Sequence, residues 1–189
     1  MKKNLEKFNN LVEAFEALPS VGKKSALRFA YHLVLNDTFS GMKLANAIES
    51  AIRSIRKCQR CGSLSENEIC EICLDENRDE SKLCIVESAK DIFVLEENNL
   101  FDGRYFVLEN LEDESVDMLK EVVKENVQEV IFALTPSLSN DAVILFVEDK
   151  LKDFKLSFTK IAQGVPTGVH LENVDMLSLS KALDSRIKV

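Results

Sequence analysis

Long apolar stretches are absent from this sequence of 189 residues. The longest apolar runs, at residues 130–134 and 142–147, fall far short of the roughly 20 residues that a membrane-spanning helix needs. The N-terminal stretch MKKNLEKFNNLVEAFEAL is charged throughout and therefore lacks the apolar core of a secretion signal. We expect a cytoplasmic protein that does not contact a membrane, and its composition does not indicate disorder.

Histidine and cysteine, whose side chains bind metals well, are also scarce, but four of the cysteines form two pairs in the sequence. The two histidines stand singly and far apart, and we interpret His32 as part of helix packing and assign no role to His170. The five cysteines include two C-x-x-C pairs, and Cys84 stands apart from them. In a chain without a secretion signal, such pairs indicate a metal site rather than disulfides.

The two pairs follow the spacing C-x2-C-x8-C-x2-C, through Cys58, Cys61, Cys70 and Cys73. Each C-x-x-C knuckle can place two thiolates on one metal, and two knuckles complete a tetrahedron. One Zn²⁺ suits four sulfur ligands and needs no redox chemistry, and the closed ligand set predicts a structural ion. An iron–sulfur cluster and four unliganded cysteines are the alternatives.

Acidic residues outnumber basic ones, and the net charge of −8 argues at first sight against a nucleic-acid partner. The charge is distributed unevenly, however. Residues 1–57 contain ten Lys or Arg against five Asp or Glu, which gives about +5 there and leaves about −13 for the rest of the chain. A basic head on an acidic body fits a head that binds a polyanion, because the local field matters more than the total charge. An ordinary scatter of surface lysines is the alternative.

The first third of the chain has the periodicity of amphipathic helices. Apolar residues recur at three- and four-residue spacing from Leu5 to Phe15, from Ala26 to Val34 and from about residue 42 to residue 56. In the third of these predicted helices, which begins near Met42, we expect one face to point inward, formed by Leu44, Ala45, Ile48, Ile52 and Ile55.

The turn at residues 18–22, Leu-Pro-Ser-Val-Gly, joins the first two predicted helices. Lys23, Lys24 and Ser25 follow at a helix start, where unpaired backbone N–H groups and the helix dipole favour a phosphate. Arg28 lies one helical turn after Lys24 on the same side. Contacts of this kind read the nucleic-acid backbone, so binding should be sequence-independent and salt-sensitive. The alternative is an ordinary helix corner with solvated lysines.

The pattern changes after the cysteines. The polar residues 74–82 predict a linker, and apolar runs at residues 83–86, 105–108, 129–134 and 156–162 predict four strands. Helical patterns begin at Ser88 and cover about residues 112–126 and 139–152, and residues 176–186 predict a closing strand or helix pair. Cys84, within the first strand, is expected to be part of the core. Strands that alternate with helices indicate an α/β domain with a mostly parallel sheet.

With these modules in this order, the chain resembles the RecR family of bacterial recombination mediators nearly end to end. The segment LPSVGKKSALRFAYHL at residues 18–33 resembles that family's helix–hairpin–helix, and the four cysteines follow at the family's place. LCIVE at residues 83–87 resembles the opening strand of its Toprim domain, and IAQGVPTG at residues 161–168 the segment after the last core strand. The resemblance implies a multi-domain α and α/β protein. Its parts are a helix–hairpin–helix DNA-binding domain at 1–57, a four-cysteine zinc finger at 58–73 and a Toprim domain at 83–189.

The resemblance also implies a function that is not enzymatic. RecR proteins act with RecO, and in many bacteria with RecF, to help RecA displace single-strand-binding protein at DNA gaps. They assemble into rings, often described as tetramers, that can surround DNA. We therefore expect DNA, RecO and, where it is used, RecF as partners, and a homo-oligomer that is a dimer or a tetrameric ring. The family's DNA-contacting residues carry over to Lys23 or Lys24 and to Arg28.

Three segments depart from the family's pattern. Ser20 stands where the usual hairpin, Leu-Pro-Gly-Ile-Gly-Pro-Lys, has its first glycine, and Lys23 stands where proline is common. A serine can replace that glycine only if the position does not need a positive φ. The family's Asn-Pro-Thr stretch is only partly matched by Leu-Thr-Pro-Ser at 134–137, and its glycine-rich segment after the second strand is replaced by the acidic residues 108–115.

Glu87 ends the first predicted Toprim strand, where Toprim nucleases and topoisomerases hold magnesium with a glutamate and an Asp-x-Asp pair. The corresponding strand here ends Phe-Ala-Leu-Thr-Pro at 132–136 without an acidic pair, and Asp141 falls on the following helix. One carboxylate makes a poor magnesium site, so Glu87 is instead a candidate for contact with a partner or with a helix N-terminus. The alternatives are a metal-dependent nuclease or primase-like enzyme and a zinc-stabilised interaction module without a DNA role.

Overall fold

The computed structural model describes residues 5–162, 164, 165 and 168–184. The chain divides into two compact units, Met1–Ile55 and Arg56–Val189. Part of the predicted closing tail, residues 185 and 186, lies outside the described residues, as do Gln163, Pro166 and Thr167 of the segment 161–168. In the part that the structure describes, no helix combines the length and the apolar character needed to cross a membrane.

The described part of the first unit, residues 5–55, contains three α-helices, α1 (Glu6–Glu16), α2 (Lys23–Tyr31) and α3 (Thr38–Ser54), with a π-helical segment at His32–Asn36 before α3. α3 begins earlier than its predicted start near Met42, because Asp37 caps it by accepting a hydrogen bond from the Ser40 N–H at 2.9 Å. The same hydrogen bond holds the pKa of Asp37 below its ordinary value.

Much of the apolar surface of this unit is uncovered. Ala26 and Ala30 of α2 are fully buried, whereas the described residues of α1 and α3 include no buried one. The inward face predicted for α3 is wrong for the single chain, because three helices offer too little surface to cover that side of the longest one. Its apolar residues are exposed, by 41% at Leu44, 51% at Ile48, 77% at Ile52 and 44% at Ile55, and Ala45 is exposed as well.

The second unit begins with a small cysteine-containing module. β1 (Arg56–Lys57) and β2 (Leu64–Ser65) pair antiparallel and enclose the first cysteine pair, and the short helix α4 (Glu71–Leu74) begins just after Cys70. The Cys58 N–H donates to the Ser63 carbonyl at 2.7 Å and the Gln59 N–H to the Glu68 carbonyl at 2.9 Å. Backbone hydrogen bonds therefore fold this segment locally into two knuckles.

A four-stranded sheet follows, with β3 (Asp79–Val86), β4 (Gly103–Val107), β5 (Glu129–Ala133) and β6 (Ser157–Lys160). The strand order is β4-β3-β5-β6, and all neighbouring strands are parallel. Helices α5 (Ala89–Glu97), α6 (Asp113–Val123) and α7 (Leu138–Lys150) alternate with the strands, and a 3-10 turn (Leu171–Asn173) and α8 (Met176–Asp184) follow β6. This arrangement confirms the predicted α/β class with a mostly parallel sheet.

The predicted linker at residues 74–82 is wrong in its second half. β3 begins at Asp79, which pairs with Gly103, and Lys82 pairs with Glu129. These strand residues are polar because they lie beyond the core, where ion pairs hold them. The Lys82 Nζ lies 3.0 Å from an Asp79 carboxylate oxygen and 3.2 Å from one of Asp102.

The core of this unit lies on both faces of the central strand β3. Leu83 and Ile85 pack in one buried cluster, while Cys84 and Val86 pack in another, as the alternation of side chains along a strand requires. Cys84 is 4% exposed, and burial raises the pKa of its thiol to about 12, so this cysteine is an unreactive part of the core.

Candidate metal centre and nucleic-acid interface

Cys58, Cys61, Cys70 and Cys73 converge on a single point. Their four sulfur atoms all lie within 4.8 Å of one another, and each residue is no more than 5% exposed. The Cys61 and Cys70 Sγ atoms are 3.5 Å apart, and those of Cys58 and Cys73 are 4.0 Å apart. A tetrahedral site with Zn–S bonds of about 2.3 Å requires sulfur–sulfur distances of about 3.8 Å, so the spacing fits one zinc ion.

The backbone of the knuckles is shaped for this convergence. Gly62 has φ +76°, and a Cβ atom there would lie 3.3 Å from the Cβ of Val107, so a side chain would be both strained and crowded. Backbone N–H groups also point at the sulfurs. The Cys70 N–H donates to the Cys58 Sγ at 3.3 Å, and the Ser63 N–H donates to the Cys61 Sγ at 3.5 Å. Such donors stabilise thiolates and orient them toward a metal.

The sulfurs compete for protons. A hydrogen bond from the Cys61 thiol lowers the pKa of Cys58, and the same contact raises the pKa of Cys61. Four thiolates this close together repel one another, and a divalent cation removes that repulsion. All four ligands come from the protein and leave no open position, so the site is a structural zinc site with four cysteine ligands.

The cysteine module is attached to the rest of the second unit through Arg60, which lies between the first two cysteines, and through Cys61, which contacts β4. Its Nη1 donates to the Cys73 carbonyl at 3.3 Å, and its Nη2 forms an ion pair with Glu125. Glu125 also lies 3.6 Å from the Nη1 of Arg104, and the Val107 N–H donates to the Cys61 carbonyl at 2.8 Å. The sequence alone does not single out Arg60, because only the fold brings its partners close to it.

The turn between α1 and α2 has the features of a type II β-turn. The Val21 N–H donates to the Leu18 carbonyl at 3.2 Å, Pro19 occupies the second position, and Ser20 at the third has φ +63°. The position that holds glycine in the family pattern therefore does adopt a positive φ, and serine adopts it here. Gly22 is the N-cap residue of α2 and has no side chain that could accept a hydrogen bond. No capping side chain therefore binds the first N–H groups of this helix.

The cations predicted around this turn are on the surface. Lys23, Lys24 and Arg28 are all exposed, and within the described residues none of the three forms an ion pair. The Arg28 guanidinium carbon lies 5.6 Å from the centroid of the Phe29 ring. The turn therefore presents uncompensated positive charge next to the start of a helix, which suits a phosphate.

Glu87 lies at the end of β3, and its carboxylate is already occupied by hydrogen bonds. It accepts hydrogen bonds from the Thr135 N–H at 2.6 Å, the Thr135 hydroxyl at 3.3 Å and the Asn140 side-chain amide at 2.5 Å. Asp141 instead lies 3.5 Å from the Lys160 Nζ. Glu87 therefore holds the segment that leads into α7, and among the described residues no acidic pair joins it at the end of β5.

The two histidines lie on the surface. His32 is exposed where α2 gives way to the π-helical segment, and His170 precedes the 3-10 turn. The metal-binding group among the described residues consists of four cysteines and includes neither histidine.

Comparison with known proteins places both modules. The helix-hairpin-helix model of RecR matches residues 8–52, and the model of the RecR four-cysteine zinc finger domain matches residues 55–75. A recombination protein RecR from Nitratiruptor is 60% identical over 190 residues, and one from Campylobacter jejuni subsp. doylei is 57% identical over 190 residues, each covering 100% of both chains. One from Helicobacter pylori is 50% identical over 188 residues, which cover 99% of this chain and 97% of that protein.

Proposed function

The chain belongs to the RecR family of recombination proteins, and from that membership we propose that it is a non-enzymatic, DNA-binding mediator of recombinational repair. With RecO, and with RecF where that protein is used, it helps to load RecA on gapped single-stranded DNA. The observation that carries the DNA-binding part is the exposed cation group of Lys23, Lys24 and Arg28 at the start of α2, which forms no ion pair with any residue that the structure describes.

Binding by this group is directed at the sugar-phosphate backbone. Lysine and arginine side chains at a helix N-terminus attract phosphate oxygens but carry no pattern that distinguishes bases. The hairpin therefore binds duplex or gapped DNA without sequence preference, and its affinity falls as the salt concentration rises, because the release of counterions then contributes less. The rest of the chain is acidic, so the basic first unit is the part to which DNA phosphates are attracted.

A binding role without catalysis fits both the four-cysteine site and the surroundings of Glu87. The four cysteines leave a bound zinc ion without an open position for substrate, and Glu87 is engaged by Thr135 and Asn140. A magnesium ion for strand cleavage needs several oxygen ligands, and one engaged carboxylate does not supply them. Reduced cysteines that bind a metal fit the cytoplasm, which is where we place this activity.

The protein acts as a homo-oligomer, either a dimer or a tetrameric ring. Support comes from the exposed apolar stripe formed by Leu44, Ile48 and Ile52 of α3 and by Ile55, which follows the helix. A contiguous apolar surface of this kind marks a contact between proteins. In a symmetric assembly, each hairpin would add its own phosphate contacts to those of the other copies.

Charge reversal tests the hairpin assignment. The double variant Lys24→Glu/Arg28→Glu should lose DNA binding by at least about 100-fold in a gel-shift series at fixed salt, because two phosphate contacts become repulsions. The matched control Lys124→Glu/Lys155→Glu makes the same change in net charge at exposed positions of the second unit and should retain most of the affinity. Circular dichroism should show both variants folded. Equal affinities for the two variants would remove the hairpin from the binding site.

A further inference from the structure

A groove lies between α1 and α2, within the first unit. Its volume is about 630 Å³, and Phe8 of α1 lines it together with residues of α2 and the two ends of the π-helical segment, His32 and Asn36. That volume falls within the roughly 300–1,000 Å³ of sites that bind small molecules or single chemical groups. The groove is therefore large enough to hold a planar group of the size of a nucleobase.

The lining from α2 combines cations with apolar and aromatic side chains. Lys24, Leu27, Arg28 and Tyr31 recur at three- and four-residue spacing and so share one face of the helix, opposite the buried Ala26 and Ala30. His32 continues this face, and no acidic residue is among the described residues that line the groove. An occupant of this groove should be negatively charged at one end and flat and apolar at the other.

Tyr31 is the most exposed of the described aromatic side chains that line the groove, which also include Phe8 and Phe29. Its side chain is 53% exposed, whereas the neighbouring Phe29 is engaged with Phe15 in an edge-to-face contact with centroids 5.9 Å apart. Leu27, one turn before Tyr31, is 51% exposed in the same groove. Exposure of a large ring beside unpaired cations is the arrangement by which proteins bind single-stranded nucleic acid, with bases on rings and phosphates on cations.

We infer that this groove receives an unpaired nucleotide of DNA, with the base against the Tyr31 ring and Leu27, and with the adjoining phosphate at Lys24 and Arg28. The inference rests on the proposed DNA-binding function and adds a preference to it. A duplex must unpair and unstack a base to place it in the groove, which costs a few kcal/mol, whereas a gap or a single strand offers a base without that cost. A second copy of the chain fits the groove less well, because an apolar segment would leave both cations without a counter-charge.

The test measures how tightly the wild-type protein and two variants of Tyr31 bind single-stranded and duplex DNA. Fluorescence anisotropy gives the dissociation constants for an oligothymidine strand and for a duplex of equal length at the same salt concentration. Tyr31→Leu should weaken binding of the single strand by about 10-fold, the effect of one lost stacked base, and change duplex binding less than about two-fold. The matched control Tyr31→Phe keeps the ring and should stay within about two-fold of wild type on both DNA forms.

A second probe works on the wild-type protein and does not depend on a variant. A strand with a run of abasic sites keeps its phosphates but lacks bases, so wild type should bind it about 10-fold more weakly than the intact strand, and Tyr31→Leu should not distinguish the two. If the wild-type protein binds duplex DNA but binds the intact strand and the abasic strand equally well, the groove inference is overturned and the proposed function stands. Loss of binding to every DNA, together with a smaller particle mass for Tyr31→Leu, would assign the groove to a second copy and overturn the inference as well. A wild-type protein that binds no DNA would instead overturn the proposed function.

Discussion

At the scale of the residue, Ser20 adopts a backbone conformation that residues other than glycine and asparagine rarely adopt. Its φ of +63° lies in the left-handed region, where an L-residue loses roughly 1–2 kcal/mol relative to glycine, which has no Cβ. Asn99 and Asn126 also have positive φ, but asparagine tolerates this region through its short polar side chain. The sequence could show that serine replaces a glycine here, but the sign of φ follows from how the two flanking helices meet.

We predict that Ser20→Gly stabilises the protein. Removal of the Cβ strain is partly offset by the greater freedom of glycine in the unfolded chain, so the net gain in the free energy of unfolding should be about 0.5–1 kcal/mol. Urea unfolding of the two proteins gives this difference. Ser50→Gly, within α3 and one turn before its end, makes the same chemical change in a helix and should destabilise by a similar amount. A loss of stability at both positions would show that Ser20 is not strained.

Glu87 provides a second prediction at this scale. Its carboxylate accepts hydrogen bonds from the Thr135 N–H and hydroxyl and from the Asn140 amide. Glu87→Gln replaces one accepting oxygen with an NH₂ group that would face another donor, so the free energy of unfolding should fall by about 1–2 kcal/mol. Zinc content should not change. Glu97→Gln, at an exposed position on α5, should stay within about 0.5 kcal/mol of wild type in the same thermal unfolding experiment. If the two variants are equally stable, the Glu87 contacts do not fasten the segment before α7.

At the scale of the element, the cysteine module depends on its metal. Apart from the four cysteines, Ile69 and Ile72 are the partly buried hydrophobic residues packed against it, so apolar burial alone cannot hold its knuckles together. Arg60 and Val107 then connect the module to the sheet and to Glu125. Loss of zinc should therefore also destabilise β4, the edge strand of the sheet that contacts the module.

We predict that Cys58→Ser no longer binds one zinc ion per chain, because the three remaining thiolates cannot complete the tetrahedron. The free energy of unfolding should fall by about 3 kcal/mol or more. A colorimetric zinc assay on the purified protein and a thermal melt measure both effects. Cys84→Ala provides the control, because Cys84 is buried in β3 away from the cluster and should leave one zinc per chain. Full zinc content in Cys58→Ser, with an unchanged melting temperature, would contradict the assignment of a four-cysteine site.

The elements themselves could largely be predicted from the sequence, for physical reasons that also explain the errors. Buried parallel strands need continuous apolar runs, so residues 83–86 identify β3, and the helix start at Ser88 is confirmed by a capping box with Asp91. The extension of β3 to Asp79 has no such signal, because ladder pairing and ion pairs, rather than apolar burial, hold its polar end. The cysteine spacing identifies the metal ligands because tetrahedral geometry dictates it.

At the scale of the whole molecule, the apolar periodicity of α3 predicts a buried face, but a single chain does not bury it. Leu44, Ile48 and Ile52 recur at four-residue spacing and remain 41–77% exposed. Periodicity indicates that a surface avoids water, and it does not say whether the covering surface belongs to the same chain or to another copy. The stripe therefore points to self-association.

We predict that the wild-type protein is an even-numbered assembly, and that the double variant Ile48→Glu/Ile52→Glu is a smaller species. Two buried carboxylates facing each other across a two-fold contact would cost several kcal/mol, enough to dissociate a micromolar dimer. Light scattering coupled to size-exclusion chromatography measures the particle mass over a range of protein concentrations. Leu138→Glu, at a residue that is 90% exposed at the start of α7, should keep the wild-type mass. The variant with two glutamates should also keep its helix content, because both positions are exposed within one chain. A monomeric wild-type protein, or an unchanged mass after both substitutions on α3, would show that this stripe is not the contact between copies.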